Sequence, residues 1–301
     1  MILVRRILCP CDFSEFARRA LDHAVALAGV YGARIHLLHA ASPPLPPMAG
    51  LPLPVPVLLE PETRQRLLAE LRAFAKPAEE AGVALDVEVA EGDPAGQIVK
   101  RAQGLPADLV VMGTHGLGGF ERLVLGSVTE KVLRRSQAPV LTVPRLAVEA
   151  GLAPHARFER ILCPVDFADP SRRALRQAFS LARESGGRVL VLHVLEAFAD
   201  DLPAEYGHFN VPEFRRYMEA DARKRLDEAV REAEAPVETM LASGKAYREI
   251  LRVAEEWKSD LVVMGVHGRG PLDLLLFGST AQHVVRAAGC PVMTLGAPRG
   301  V

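Results

Sequence analysis

The sequence predicts an α/β protein built as two tandem doubly wound domains, each around a five-stranded parallel sheet. Three observations carry this. The chain repeats itself: RRILCPCDF at Arg5–Phe13 is matched by ERILCPVDF at Glu159–Phe167, with 18 of 36 positions over 5–40 identical at an offset of 154. Later, DLVVMGTHG at Asp108–Gly116 meets DLVVMGVHG at Asp260–Gly268, with 17 of 36 positions over 108–143 identical at an offset of 152. A period near 150 is a duplicated domain, not a solenoid of short repeats. Second, each half alternates short apolar runs with segments of helical period. Third, a composition of 49% apolar and 24% charged residues suits a globular protein with sizeable cores.

The elements of the first half follow in order. Ile7–Cys11 is a short apolar run bounded by Pro10 and Asp12, a strand. Glu15–Tyr31 carries Ala20, Ala24, Leu27 and Ala28 at helical spacing, with Ser14 as N-cap and Gly32 as stop. Arg34–Ala40 is strand-like. Glu62–Ala81 is helical through Leu67, Leu68, Leu71 and Phe74, and Pro77 should kink or shorten it. Val83–Ala90 alternates weakly as a strand, Ala95–Ala102 is a short helix, and Leu109–Met112 is fully apolar. Ser127–Arg135 is a helix and Val140–Val143 the last strand. Strands separated by helices pair in parallel through right-handed crossovers.

Domain boundaries fall at 1–145 and 158–297, with a linker at 146–157 inside RLAVEAGLAPHAR. After the second strand, Ala41–Glu60 holds seven prolines and cannot be a central strand. Its partner Leu195–Val211 carries Tyr206, His208 and Phe209. Both read as flaps over the carboxyl edge of their sheets, either variable loops or a lid or partner surface.

A net charge of -1 argues against nucleic acid or anionic membrane as a partner, since either would want a basic excess. No apolar run approaches a membrane span, and Arg5 and Arg6 interrupt the start, so no secretory signal is expected. Four cysteines make no disulfide framework, and a reducing cytoplasm is the simplest location. Cys9 and Cys11 share a strand face, the spacing of a metal pair, but no further ligands lie near, so they read as buried small residues. His36 and His39 fall on opposite faces and are not a metal pair.

Ligands of open α/β sheets sit beyond the carboxyl ends of the strands. After the fourth strand comes Gly113-Thr-His-Gly116, nine residues, then Gly126-Ser127 opening a helix. The second half repeats the spacing as Gly265-Val-His-Gly268, nine residues, Gly278-Ser279. This is neither a P-loop nor the dinucleotide fingerprint, but the physics is related. Glycines admit close backbone approach, and a helix N-terminus turns its donors toward a phosphate. A purely structural reading stands beside this one: Ser127-x-x-Glu130 and Ser279-x-x-Gln282 are capping-box patterns. His115 and His267 are candidates for phosphate contact, structural hydrogen bonding or, with no partner carboxylate recurring, catalysis.

The glycine spacing, with an early strand ending in Pro10-Cys-Asp12 and Pro164-Val-Asp166, resembles the universal stress protein family over essentially all of both halves. The resemblance implies a sheet ordered 3-2-1-4-5 and the member type that binds ATP, or ADP or AMP, with Mg²⁺ at the phosphates. It implies a site at Pro10 and Asp12, with Asp12 by the ribose and adenine. Ala40 would meet the adenine, and Met112 and Gly113 would line the base and ribose side. Gly116, Gly126, Ser127 and Thr129 would hold the phosphates, with His115 and Val128 in the same stretch. The second half matches with Pro164, Asp166, Val194, Met264, Gly265, His267, Gly268, Gly278, Ser279 and Thr280. Ala281 stands where the first half has Thr129, which implies a weaker second site by one lost hydroxyl contact.

The function expected is adenine-nucleotide binding in stress response or regulation, with one site per domain and little or no catalysis. The alternative is a slow ATPase or nucleotidyl hydrolase, for which the glycine loops offer only Arg122, opposite Leu274 in the repeat. The resemblance also implies pairing of the two domains through Val140–Val143 and Val292–Leu295 as an intramolecular pseudo-dimer. A homodimer through the flaps and an unidentified protein partner complete the expected partners. The pairing predicts a single rigid envelope in small-angle scattering, whereas two independently tumbling halves would contradict it.

Overall fold

The computed structural model describes residues 4–42, 59–116, 125–144, 157–196, 211–231, 233–266 and 278–296. Most of both flaps, the linker and the interiors of both glycine loops, including His267, Gly268, Arg122 and Leu274, lie outside these residues. The chain divides into two compact units, whose described residues are 4–143 and, with Pro144, 157–296.

The first unit runs β1 (Arg6–Pro10), α1 (Glu15–Tyr31), β2 (Arg34–Ala41), α2 (Pro61–Glu80), β3 (Leu85–Glu91), α3 (Pro94–Gly104), β4 (Leu109–Gly113), α4 (Ser127–Arg135) and β5 (Val140–Val143). The second runs β6 (Arg160–Pro164), α5 (Asp169–Ser185), β7 (Arg188–Leu195), α6 (Val211–Val230), β8 (Val237–Ser243), α7 (Ala246–Glu256), β9 (Leu261–Gly265), α8 (Ser279–Ala287) and β10 (Val292–Leu295). Strand order within the first unit is β3-β2-β1-β4-β5, and within the second β8-β7-β6-β9-β10. Every pairing within a unit is parallel. This is the order 3-2-1-4-5 in each half, with the change of direction at the first and fourth strands.

Local chemistry explains the boundaries. Ser14 accepts the Ala17 N–H at 3.1 Å and Gly32 ends α1 at φ 64, as the sequence predicts. The apolar stripe Ala17, Ala20, Leu21, Ala24, Leu27 and Ala28 is buried against the sheet. In α2 the expected shortening at Pro77 does not occur, for the helix continues to Glu80. The Arg18 guanidinium donates to the Phe74 carbonyl and stacks over the Phe74 ring, tying this turn of α2 to α1.

The repeated aspartate of DLVVMG serves the amino edge of the sheets. Asp108 accepts the N–H groups of Arg5 and Arg6, both at 2.9 Å, and Asp260 those of Glu159 and Arg160 at 2.7 and 3.1 Å. Each carboxylate thereby joins the start of the first strand to the start of the fourth. The far end of the same motif is where the helices come close. A Cβ on Gly113 would lie 2.8 Å from Phe16 Cβ, and one on Gly265 would lie 2.8 Å from the Pro170 carbonyl carbon. Glycine at the end of the fourth strand is what lets α1 and α5 cross it. Gly265→Ala should therefore destabilise the second half by about 1–3 kcal/mol, read as a lowered midpoint in thermal or denaturant unfolding. An unchanged midpoint would contradict the crossing.

Candidate functional site

At the carboxyl edge, each half builds the same turn. The carboxylate of Asp12 accepts the Ser14 N–H at 3.1 Å and the Ser14 hydroxyl at 2.6 Å; that of Asp166 accepts the Ala168 N–H at 3.0 Å. Between them, Phe13 and Phe167 take φ of 65 and 64, a left-handed conformation that is uncommon for a bulky residue. Their rings pack on His39 and His193, with centroids 4.6 and 4.5 Å apart. Each histidine Nδ1 donates to the last carbonyl before the turn, His39 to Cys11 at 2.8 Å and His193 to Val165 at 2.7 Å. His39 and His193 are thus structural histidines. Sequence reasoning did not single out Phe13 and Phe167, although their recurrence in CPxDF was the available signal.

The glycine loops are pinned at both ends. Gly126 N–H donates to the Thr114 carbonyl at 2.9 Å, and Gly278 N–H to the Val266 carbonyl at 2.8 Å. A Cβ at Gly126 would come within 3.1 Å of that same carbonyl, which is why glycine stands there. On Gly116 a Cβ would run into the Asp12 carboxylate, so the start of the loop and the end of β1 meet at one place.

Helices α4 and α8 begin at Ser127 and Ser279, with Gly126 and Gly278 as N-caps and no side-chain cap bond. The capping-box alternative is not realised: both serines are exposed first-turn residues. The first intrahelical bonds are Glu130 N–H to Gly126 and Gln282 N–H to Gly278, both at 2.9 Å. The N–H groups of Ser127, Val128 and Thr129, and of Ser279, Thr280 and Ala281, precede these bonds and form the positive end of each helix.

Thr129 differs from the expectation. It is buried, and its hydroxyl donates to the Gly113 carbonyl at 2.9 Å, so it clamps α4 to β4 instead of facing a phosphate with its side chain. Ala281 in the second half therefore removes a helix-to-strand clamp, and the lost phosphate contact no longer ranks the two sites. His115 is also buried, its Nδ1 3.0 Å from Thr114 Oγ1 and its ring 5.5 Å from that of Phe16. The Nδ1 side of the ring is thus engaged in a structural hydrogen bond.

In the second half, a cavity of about 250 Å³ is lined by Pro164, Asp166, Val194, Met264, Gly265, Gly278, Ser279 and Thr280. These are all the predicted residues of that half that fall among the described ones. The cavity adds Ser171, Leu192, Ala246 and Ile250, which the glycine motif could not reveal because they come from other elements. In the first half, Pro10 ends β1, Ala40 lies in β2 opposite Ala90, and Met112 is buried in β4.

No metal cage accompanies these residues: among the described residues no three His, Cys, Asp or Glu side chains converge. Cys9 and Cys11 are buried free thiols, and desolvation pushes Cys11 up to about 12 and Cys9 well above its ordinary value.

Comparison with known proteins agrees with this architecture. The model of the "Universal stress protein family" matches residues 4–144 and again 157–295. A universal stress protein of Methanocaldococcus jannaschii is 36% identical over 148 residues, covering 48% of this chain and 84% of the relative. One of Mycobacterium tuberculosis is 28% identical over 262 residues, covering 86% of this chain and 85% of the relative. The crystal structure of a universal stress protein from Archaeoglobus fulgidus superposes with a TM-score of 0.70 at 24% identity, covering 98% of this chain and 97% of that one, which shows the fold. Two family matches that together span both halves place the chain in the universal stress protein family, as a tandem member.

Proposed function

We propose that each half binds one adenine nucleotide at the carboxyl edge of its sheet and that the chain acts as a stress-response regulator without appreciable catalysis. The observation that carries this reading is the convergence of eight predicted residues on one cavity in the second half. Asp166 and the ends of β6 and β7 flank the base and ribose side. The N-terminus of α8, with the exposed Ser279 hydroxyl, faces the phosphates; in the first half Ser127 and α4 hold the same place. Backbone donors and a helix end favour a phosphate without a net basic charge.

The residues suit binding better than turnover. Asp12 and Asp166 are engaged by the turn that follows them, and His115 is buried beside Thr114. Neither geometry prepares a general base for a water. Mg²⁺ would come with the nucleotide, held by phosphate oxygens as hard cations prefer. Among the described residues no helix is long and apolar enough to cross a membrane. Buried free thiols suit the reducing cytoplasm in which we place the protein. Pairing of the two domains through their last strands remains part of this proposal, since unpaired apolar edges invite association.

Titration with ATP and Mg²⁺ should saturate at two sites per chain. Ser127→Ala and Ser279→Ala should each weaken one site by about tenfold or more, the worth of one hydrogen bond to a charged group. Because neither serine caps its helix, the unfolding midpoint should stay within a degree or two of the parent's, on the order of the small change expected for an exposed position. Absence of saturable binding, or a fall in midpoint with affinity unchanged, would contradict the assignment.

A further inference from the structure

The two halves differ where the second helix covers the first. In the first half Phe74 of α2 fills this place: the Arg18 guanidinium lies 3.4 Å above its ring, and Phe13 meets it edge-on at 6.0 Å. The buried pair Leu71 and Ala75 of α2 corresponds to the buried pair Ala222 and Leu226 of α6, which puts Arg225 at the position of Phe74. Arg225 does take that place, its guanidinium 4.3 Å from the ring of Phe167, the counterpart of Phe13. An aromatic plug has become a cation, and between α5 and α6 a groove of about 580 Å³ stands open.

Further differences between the halves make the groove cationic. At the 154-residue offset, Asp22 and Gly29 of α1 become Arg176 and Arg183 of α5, while Val25 becomes Phe179. Arg172 repeats Arg18 but has no Phe74 to rest on. The groove thus carries Arg172, Arg176, Arg183 and Arg225 over an apolar floor that includes Phe167, Leu175 and Phe179. Glu228 and Glu234 line it too; Glu234 pairs with Arg183, and Arg225 pairs with Asp221 of its own helix at 3.9 Å. The side chains of Arg172 and Arg176 take no ion-pair partner among the described residues. With Asp221 counted, four arginines against three carboxylates leave a positive surplus, carried by Arg172 and Arg176.

We infer that this groove is a second ligand site, distinct from the nucleotide cavity, for a phosphate monoester with an apolar chain or ring. A monoester near neutral pH carries close to two negative charges, which suits the two guanidiniums of Arg172 and Arg176, and guanidinium forks match phosphate oxygens. The floor then takes the apolar body, in a volume within the usual range for small-molecule sites.

Calorimetric titration of the full chain with decyl phosphate, kept below its micelle concentration and in saturating ATP, tests this. One site per chain is expected, with no comparable binding of decyl glucoside or inorganic phosphate. Arg172→Gln with Arg176→Gln should weaken decyl phosphate by about tenfold or more, the loss of charge-assisted hydrogen bonds. Arg225→Phe, which restores the first half's aromatic plug, should abolish it. No binding, equal binding of the glucoside, displacement by ATP, or affinity indifferent to these substitutions would each overturn the site. The comparison of phosphate with glucoside on the unaltered chain needs no variant to fold.

Discussion

The structure depends on one close approach, repeated twice. The helix after the first strand of each half crosses the end of the fourth strand so closely that only glycine fits beneath it, Gly113 under Phe16 and Gly265 under Pro170. That crossing brings the turn after the first strand against the start of the glycine loop. To enter the helix at this angle the chain passes through a left-handed Phe13 or Phe167, held by its aspartate on one side and its histidine on the other. Strain of this kind persists only where the surroundings over-determine it. Here the overdetermination consists of a carboxylate, an imidazole and a ring contact, all at the rim of the candidate site.

The same crossing separates structural from functional duties within one motif. In DLVVMGxHG, the aspartate fastens the amino edge, the apolar run is buried core, and the first glycine admits the helix. What remains for a ligand is the loop that follows and the helix end to which it leads. A binding site made of backbone donors asks little of side chains, which is why the chain needs no basic excess to hold a small polyanion.

Much of this was legible in the sequence. Apolar runs and glycine stops predicted α1, α4 and β5 to the residue, and two copies of the pattern set the strand order through the family resemblance. The residues less legible were those with two plausible uses. Ser127 sits in a capping-box pattern, and only the backbone at Gly126 shows that the cap lies one residue earlier. Thr129 has the residue type of a phosphate ligand, yet its position in the first turn of α4 points it at the Gly113 carbonyl. Pro77 breaks a local helix rule, yet α2 continues through it to Glu80, with the preceding turn packed on α1 through Arg18. The cationic groove was hidden for a further reason: α2 and α6 follow flaps of different length, so Arg225 aligns with Phe74 only once burial fixes the register.

The proposed function requires that the carboxyl edge of each sheet hold an adenine nucleotide. Denaturing the purified chain and identifying released small molecules by mass tests it most directly. The account predicts an adenine nucleotide, approaching two per chain after incubation with ATP and removal of the excess. A chain that releases none, before or after that incubation, would contradict it.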